Sequence, residues 1–297
     1  MIANGIGGAN TKRINKKHLV LEALYRFCKE QNDFVFHNDL VKEVCSDYKF
    51  GNPFDITKLD SSEKLPQSFI DEDICILHLG RGYHQFIKGI DKLYHPFEAL
   101  QQSINWQYQK GILDEFNSSE SNILSVANNE GILYNFLYPY YQYYGCYHNG
   151  LEFPYQLPVN VAYDCYYYGC PYNLQCPAYF HKVKAYFPHR TKTTLNYFDT
   201  QEIEAKNQQI EIDLTLECNG VIGIFEAKNG EPKDFNIYQI YHPFLYYYNS
   251  GLNFKKIICV YLVRKNESLK LWAYTFSEPL RLDSIVFLKS CKYVLVR

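Results

Sequence analysis

Apolar residues recur at helical spacing near the N-terminus. Leu19, Leu21, Ala23, Leu24 and Phe27 predict a helix over about Lys17–Lys29. A second helix is expected over Asn38–Tyr48, with Asn38 as N-cap and Leu40, Val41, Val44 and Cys45 on one face. A polar stretch, NPFDITKLDSSEKLPQ, then gives way to the strand-like segments DICILHLG and YHQFIKG. Farther on, Ile123, Leu124, Ala127, Ile132, Leu133 and Phe136 share a broad face of a helix expected over Ser119–Tyr138, which Pro139 stops. Segment 145–200 is rich in Pro, Tyr and Cys and reads as irregular. The C-terminal third regains a regular pattern. Strands are expected at Gln209–Glu217, Val221–Lys228, Lys256–Val263, Leu271–Phe276 and Tyr293–Val296, with a helix at Asp234–Tyr248 between the second and third.

These elements suggest two parts, residues 1–100 and 101–297. The first opens on a Gly/Asn-rich arm and continues as two helices, a loop and a strand pair, an order that resembles a winged helix. Segment 91–118 reads as the link to the second part.

Composition narrows the function. With 47% hydrophobic and 21% charged residues, a chain of 297 residues can bury a substantial core. The longest apolar runs are too short to span a membrane, and the N-terminus lacks the apolar core of a secretory signal. A cytoplasmic protein with no membrane partner is therefore expected. A net charge of −2 gives no global attraction to nucleic acid, so any DNA binding must rest on local basic patches and metal ions. Of the ten cysteines, Cys28, Cys45, Cys75, Cys259 and Cys291 sit singly among apolar residues and read as small buried hydrophobes. Cys146, Cys165, Cys170 and Cys176, with His181 nearby, lack the CxxC pair of a zinc site and read as loop cysteines. The 29 tyrosines crowd the stretch from Tyr134 to Tyr168. Such a stretch suits either base stacking or a half-buried packing surface.

The stretch with most chemistry is QQIEIDLTLECNGVIGIFEAKNG, residues 208–230. Its first half alternates, Ile210, Ile212, Leu214 and Leu216 facing one way and Glu211, Asp213 and Thr215 the other. Asn219-Gly220 is a two-residue hairpin signal, so the second half returns antiparallel. Glu226 and Lys228 then share a face, and Asp213 comes to lie nearly opposite Glu226. Two carboxylates held so close repel unless a cation lies between them. A hard divalent ion such as Mg²⁺, which takes carboxylate, water and phosphate oxygens, is the natural occupant. A lysine beside it can bind a phosphate or orient an attacking water. The plain alternative is a solvated hairpin face whose charges pair across the strands.

Asp213, followed by Glu226-Ala227-Lys228 after a hairpin and then a helix, resembles the signature of the PD-(D/E)XK nucleases, and among them the type II restriction endonucleases. Ile212 stands where that family often has proline. The resemblance covers residues 208–263 and implies an α/β fold with an αβββαβ core on a mixed sheet. It also implies Asp213 and Glu226 as metal ligands, Lys228 as the residue that positions or activates water, and Mg²⁺ as cofactor, with Mn²⁺ able to substitute. A further acidic ligand is implied on the preceding helix. Glu120, near its start, is favoured over Glu130. RecB-like members carry a Gln and a Tyr one helical turn apart on the following helix. Here Gln239 is followed four positions later by Pro243, so that pattern is not met, though Gln239 remains a candidate for contact with DNA.

DNA contacts are also expected from Lys182, Lys184, Arg190 and Lys192 in the basic run HKVKAYFPHRTK, and from Arg81 at the Gly80-Arg81-Gly82 turn. The resulting expectation is Mg²⁺-dependent, sequence-specific cleavage of double-stranded DNA, by a two-fold dimer where the site is palindromic. The alternatives are a repair or recombination nuclease acting on ends or junctions, and a catalytically inactive DNA-binding regulator.

Overall fold

The computed structural model describes residues 15–111, 119–138, 183–186, 189–198, 203–218 and 220–296. The chain divides into two compact units. One is formed by the chain up to Leu59 with Lys64–Ile90, the other by Asp60–Glu63 with Asp91–Arg297. No helix among the described residues is long and apolar enough to cross a membrane.

In the N-terminal unit, α1 (Lys16–Gln31) starts where the Asn15 side chain accepts the Lys17 N–H, and it ends at Asn32 in the left-handed region (φ 52°). Its buried stripe is Val20, Leu21, Leu24 and Cys28, whereas Phe27, expected on that stripe, is 45% exposed. The stripe follows the i, i+1, i+4, i+8 positions, on the side where α1 meets α2 and α3, and Phe27 falls one position outside it. β1 (Val35–His37) leads into α2 (Asn38–Asp47). The N-cap is His37 rather than Asn38: the His37 ring accepts the Asp39 N–H, and Asn38 turns its amide to His84. The polar stretch that follows carries two short helices, α3 (Pro53–Ile56) and α4 (Gln67–Asp71). β2 (Ile74–Gly80) and β3 (Tyr83–Lys88) complete a three-stranded antiparallel sheet in the order β1-β3-β2. Gly80, Arg81 and Gly82 make the turn with φ of 77°, 51° and 81°. A side chain at Gly82 would meet the His37 ring and the Asn38 amide, so glycine is required there for space as well as conformation.

Beneath this turn, His78 and His84 face each other across β2 and β3, Nδ1 to Nδ1 at 2.9 Å, and His84 Nε2 lies 2.9 Å from Asn38 Oδ1. Burial lowers the pKa of His78 to about 4 and that of His84 to about 3. In the unfolded chain both titrate near 6.5, so the unfolded state takes up protons first as the pH falls. Stability contributed by the neutral pair is therefore present above pH 6.5 and lost as the pH falls from about 6.5 through 4 to 3. The loss accrues at about 1.4 kcal/mol per pH unit for each proton that the unfolded state takes up first, several kcal/mol in all. Denaturant titrations at pH 7 and pH 4.5 of wild type and His84→Gln check this. The acid loss is expected to be smaller in the variant, and equal losses would refute the assignment.

The C-terminal unit opens with α5 (Ile90–Leu93) at its border and β4 (Tyr94–Pro96). The expected link over 91–118 instead contains β5 (Ser103–Gln107), an edge strand of the main sheet. The expected helix over Ser119–Tyr138 is two helices, α6 (Glu120–Asn129) and α7 (Ile132–Leu137), because Gly131 at φ 72° breaks the run. β6 (Lys184–Tyr186) and β7 (His189–Asn196) are regular elements within a segment expected to be irregular. The expected strand Gln209–Glu217 is likewise two strands. β8 (Glu204–Ile212) pairs with β7 as a separate two-stranded ribbon, and β9 (Leu214–Cys218) enters the main sheet, with Asp213 at the break. β10 (Val221–Asn229) follows. The helix expected from Asp234 starts later, at Tyr238, because Asp234–Asn236 forms β11 against β4. Then come α8 (Tyr238–Tyr248), β12 (Lys256–Lys265), β13 (Ser268–Phe276) and β14 (Ile285–Val296).

The seven-stranded mixed sheet runs β5-β14-β13-β12-β10-β9-β6. β10 and β12 are parallel, joined through α8, and the remaining central pairs are antiparallel. One face carries Leu216, Phe225, Ala227, Val260 and Leu271 into a core with Ile123, Ala127, Leu133 and Phe136 of α6 and α7. A side chain at Gly223 would run into Leu137, so α7 lies directly on β10. The opposite face packs against α8. Cys28, Cys45, Cys75, Cys259 and Cys291 are buried, as expected, and Cys218 joins them. The cysteines from Cys146 to Cys176, the Asn/Gly-rich arm over 1–14 and most of the tyrosine-rich stretch lie outside the described residues.

Candidate functional site

The ladder between β9 and β10 pairs Cys218 with Val221 and Leu214 with Phe225, the register of a two-residue connection. Gly220 supplies the positive φ of 79° at that connection, and its N–H is taken by Glu217 Oε1 at 3.1 Å. Asn219 lies outside the described residues. Carried one step further, the same register sets Asp213 against Glu226. Asp213 has left the ladder, and there its carboxylate accepts the Ala227 N–H.

Glu226 and Lys228 extend β10 beyond its apolar run Ile222–Phe225, on the face turned to α8. Lys228 Nζ lies 2.7 Å from Glu226 Oε1, and the two side chains are only 18% and 13% exposed. Ser119 caps α6 by accepting the Asn122 N–H, which places Glu120 in the first helical turn. From there Glu120 reaches Lys228, with Oε1 and Oε2 each at 3.2 Å from Nζ. In the first turn of α8, Gln239 Nε2 donates to Glu226 Oε1 at 3.2 Å. Two carboxyl groups thus hold one ammonium, and Asp213 is near enough to feel its charge.

Electrostatics follow from that count. Burial pushes the Glu226 carboxyl well above the usual carboxylate range, against the pull of the Lys228 ammonium. Burial also raises Asp213, opposed by Lys228 and by the Ala227 N–H. For Lys228, burial disfavours the charge, but the Glu226 and Glu120 carboxylates outweigh it and hold the proton more tightly than water would. Lys228 is the fixed cation of the site. The site is left with an excess of negative charge that oxygen ligation of a hard divalent ion would relieve. In the present geometry Glu226 and Glu120 are turned onto Lys228, and no group of three or more His, Cys, Asp or Glu side chains among the described residues is already drawn together as a metal cluster.

The remaining described candidates make none of these contacts. Glu130 caps the other end of α6, about 15 Å along the axis from Glu120. Lys184 on β6 pairs with Glu217 at 3.4 Å, and Arg190 on β7 pairs with Glu211 at 2.9 Å. Lys192 is exposed opposite Gln209 on the ribbon. Lys182 lies outside the described residues, and Arg81 is exposed at the tip of the β2–β3 turn of the N-terminal unit. One participant escaped the sequence: Tyr261, on β12, stands beside Glu226 in the parallel register and donates to Gln239 Oε1 at 3.3 Å. A lone hydroxyl inside the run KIICVYLV was its only sequence signal.

Two family models match the chain, each described as a domain of unknown function: DUF6996 over residues 17–86 and DUF6997 over residues 180–294. No curated protein and no solved structure matches it.

Proposed function

We propose that the C-terminal unit is a Mg²⁺-dependent endonuclease of the PD-(D/E)XK type that cleaves double-stranded DNA at a specific sequence, as type II restriction enzymes do. The observation that carries this reading is the gathering of Asp213, Glu226, Glu120 and Lys228 at one end of β10. The element order around them supports it. After α6 and α7, the main sheet takes β6, β9 and β10 as an antiparallel series, with the β7–β8 ribbon inserted between β6 and β9. β11 and α8 then lead to β12, parallel to β10, so that α6, the three antiparallel strands, α8 and β12 follow an αβββαβ order with insertions.

The donor set fits a hard cation: carboxylate oxygens predominate, and the one lysine balances only part of their charge. Asp213 and Glu226 would hold the ion, with Glu120 swinging from Lys228 to join them. When bound, Mg²⁺ supplies Lewis-acid polarisation of the phosphate and a more acidic water. Lys228, kept protonated by its neighbours, binds a non-bridging phosphate oxygen and steadies the charge that builds in the transition state. The Ala227 N–H and Gln239 hold Asp213 and Glu226 in place. In the N-terminal unit, the order helix–strand–helix followed by two strands, paired β1-β3-β2, supports a winged-helix element whose Gly80-Arg81-Gly82 tip adds a second DNA contact.

Incubating the protein with a large defined DNA in Mg²⁺ and sequencing the ends tests this. Discrete fragments with one end sequence are expected, and none from Asp213→Ala. Cleavage by Asp213→Ala at the wild-type rate, or no cleavage of any DNA in Mg²⁺ or Mn²⁺, would overturn it.

A further inference from the structure

Resting on that reading of the site, we propose that Tyr261 is a positioning residue for the metal ligand Glu226, acting through Gln239. The chain of contacts is short. Tyr261 Oη donates to Gln239 Oε1 at 3.3 Å, and Gln239 Nε2 donates to Glu226 Oε1 at 3.2 Å.

Each link is fixed by its surroundings. The Tyr261 ring is fully buried between Phe235, at 4.7 Å between centroids, and Phe97, at 5.4 Å. A ring so enclosed cannot swing its hydroxyl elsewhere, and a buried hydroxyl needs a partner. Burial, together with the nearby charges of Glu226 and Asp60, raises the phenol pKa far above 10, so Tyr261 remains a donor. A donor on that side assigns the amide: Gln239 must present its oxygen to Tyr261 and its NH₂ to Glu226. The NH₂ and the Lys228 ammonium both fall on the same carboxylate oxygen, Glu226 Oε1, so the orientation of this carboxylate is set from two sides.

Mn²⁺ titrated into the full-length protein by calorimetry gives a readout independent of cleavage. Wild type is expected to bind Mn²⁺ and Glu226→Gln to bind it far more weakly. Loss of an outer-layer hydrogen bond to a ligand typically costs about 10-fold in affinity. Tyr261→Phe, which removes one oxygen, is expected to weaken Mn²⁺ binding by about that factor. Gln239→Met should weaken it at least as much. In the Gln239→Met background, Tyr261→Phe should have no further effect, a non-additivity that a purely structural role would not produce. Wild-type affinity in Tyr261→Phe, or additive losses in the double variant, would overturn the proposal while leaving the metal site intact. If Tyr261→Phe does not fold, wild-type affinity in Gln239→Met overturns it instead. Failure of wild type to bind Mn²⁺ would remove the metal-site reading itself, and this inference with it.

Discussion

Lys228→Met is expected to lower Mg²⁺-dependent DNA cleavage by about 10²–10³-fold, the usual consequence of deleting one preorganised charge-stabilising group. The same substitution has a second, opposite-looking effect. Lys228 is the cation about which Glu226 and Glu120 are folded, at 2.7 and 3.2 Å. Removing one partner of a buried pair costs about 3–5 kcal/mol where the other charge stays stranded. Glu226 need not stay charged, because burial already raises its proton affinity, so protonation limits the loss to about 2 kcal/mol. Mg²⁺ should then restore the variant more than it stabilises wild type, since Glu226 and Glu120 no longer have to leave an ammonium to reach it. Saturation at 100 times Kd corresponds to about 2.7 kcal/mol. Thermal melts with and without Mg²⁺, alongside cleavage assays, separate the two effects. A Lys228→Met protein that Mg²⁺ restores to wild-type stability but that does not cut assigns the lysine to chemistry. Wild-type cutting at saturating Mg²⁺ would exclude it from that role.

The hairpin was legible in the sequence because two local rules coincide there. Alternation fixes which side chains share a face, and Asn219-Gly220 fixes the register, so the juxtaposition of Asp213 with the Glu226–Lys228 pair could be reasoned from residues 208–230 without knowledge of the rest. The buried faces of α2 and of residues 123–136 were legible for the same reason. What alternation could not reveal is where a strand changes partners. Ile210, Ile212, Leu214 and Leu216 keep one continuous pattern through Asp213, yet β8 pairs with β7 and β9 with β10. The break occurs where a charged side chain turns to the Ala227 N–H, a tertiary demand with no local trace. Asp234 and Asn236 were hidden similarly, since both suit the start of a helix but are drawn into β11 by partners far away in sequence. Tyr261 depends on the parallel register of β10 and β12, which a crossover of 26 residues (230–255) leaves unspecified.

Asp234→Ala is expected to destabilise the C-terminal unit by about 3–4 kcal/mol. Asp234 is 7% exposed and accepts three hydrogen bonds, from Ser61 Oγ at 2.8 Å, from the Ser62 N–H at 2.7 Å and from Ser62 Oγ. Bonds to a charged acceptor contribute about 1.5–3 kcal/mol each, and their sum is reduced here because freed serine hydroxyls can turn to water. The Ser62 N–H cannot turn in this way. The three bonds fasten Asp60–Glu63 to β11, and the Asp60 carbonyl accepts the Asn236 N–H at 2.8 Å beside them. This strap matters to the site because β11 leads directly into α8, whose first turn carries Gln239. Loosening it should therefore expose residues 60–63 to protease and also weaken Mn²⁺ binding, whereas Ser61→Ala, which leaves two of the three bonds, should cost about 1 kcal/mol. Denaturant titration with limited proteolysis measures both. Stability within 0.5 kcal/mol of wild type in Asp234→Ala, about the scatter of a neutral surface change, would mean that the strap is held by its apolar neighbours and not by the carboxylate.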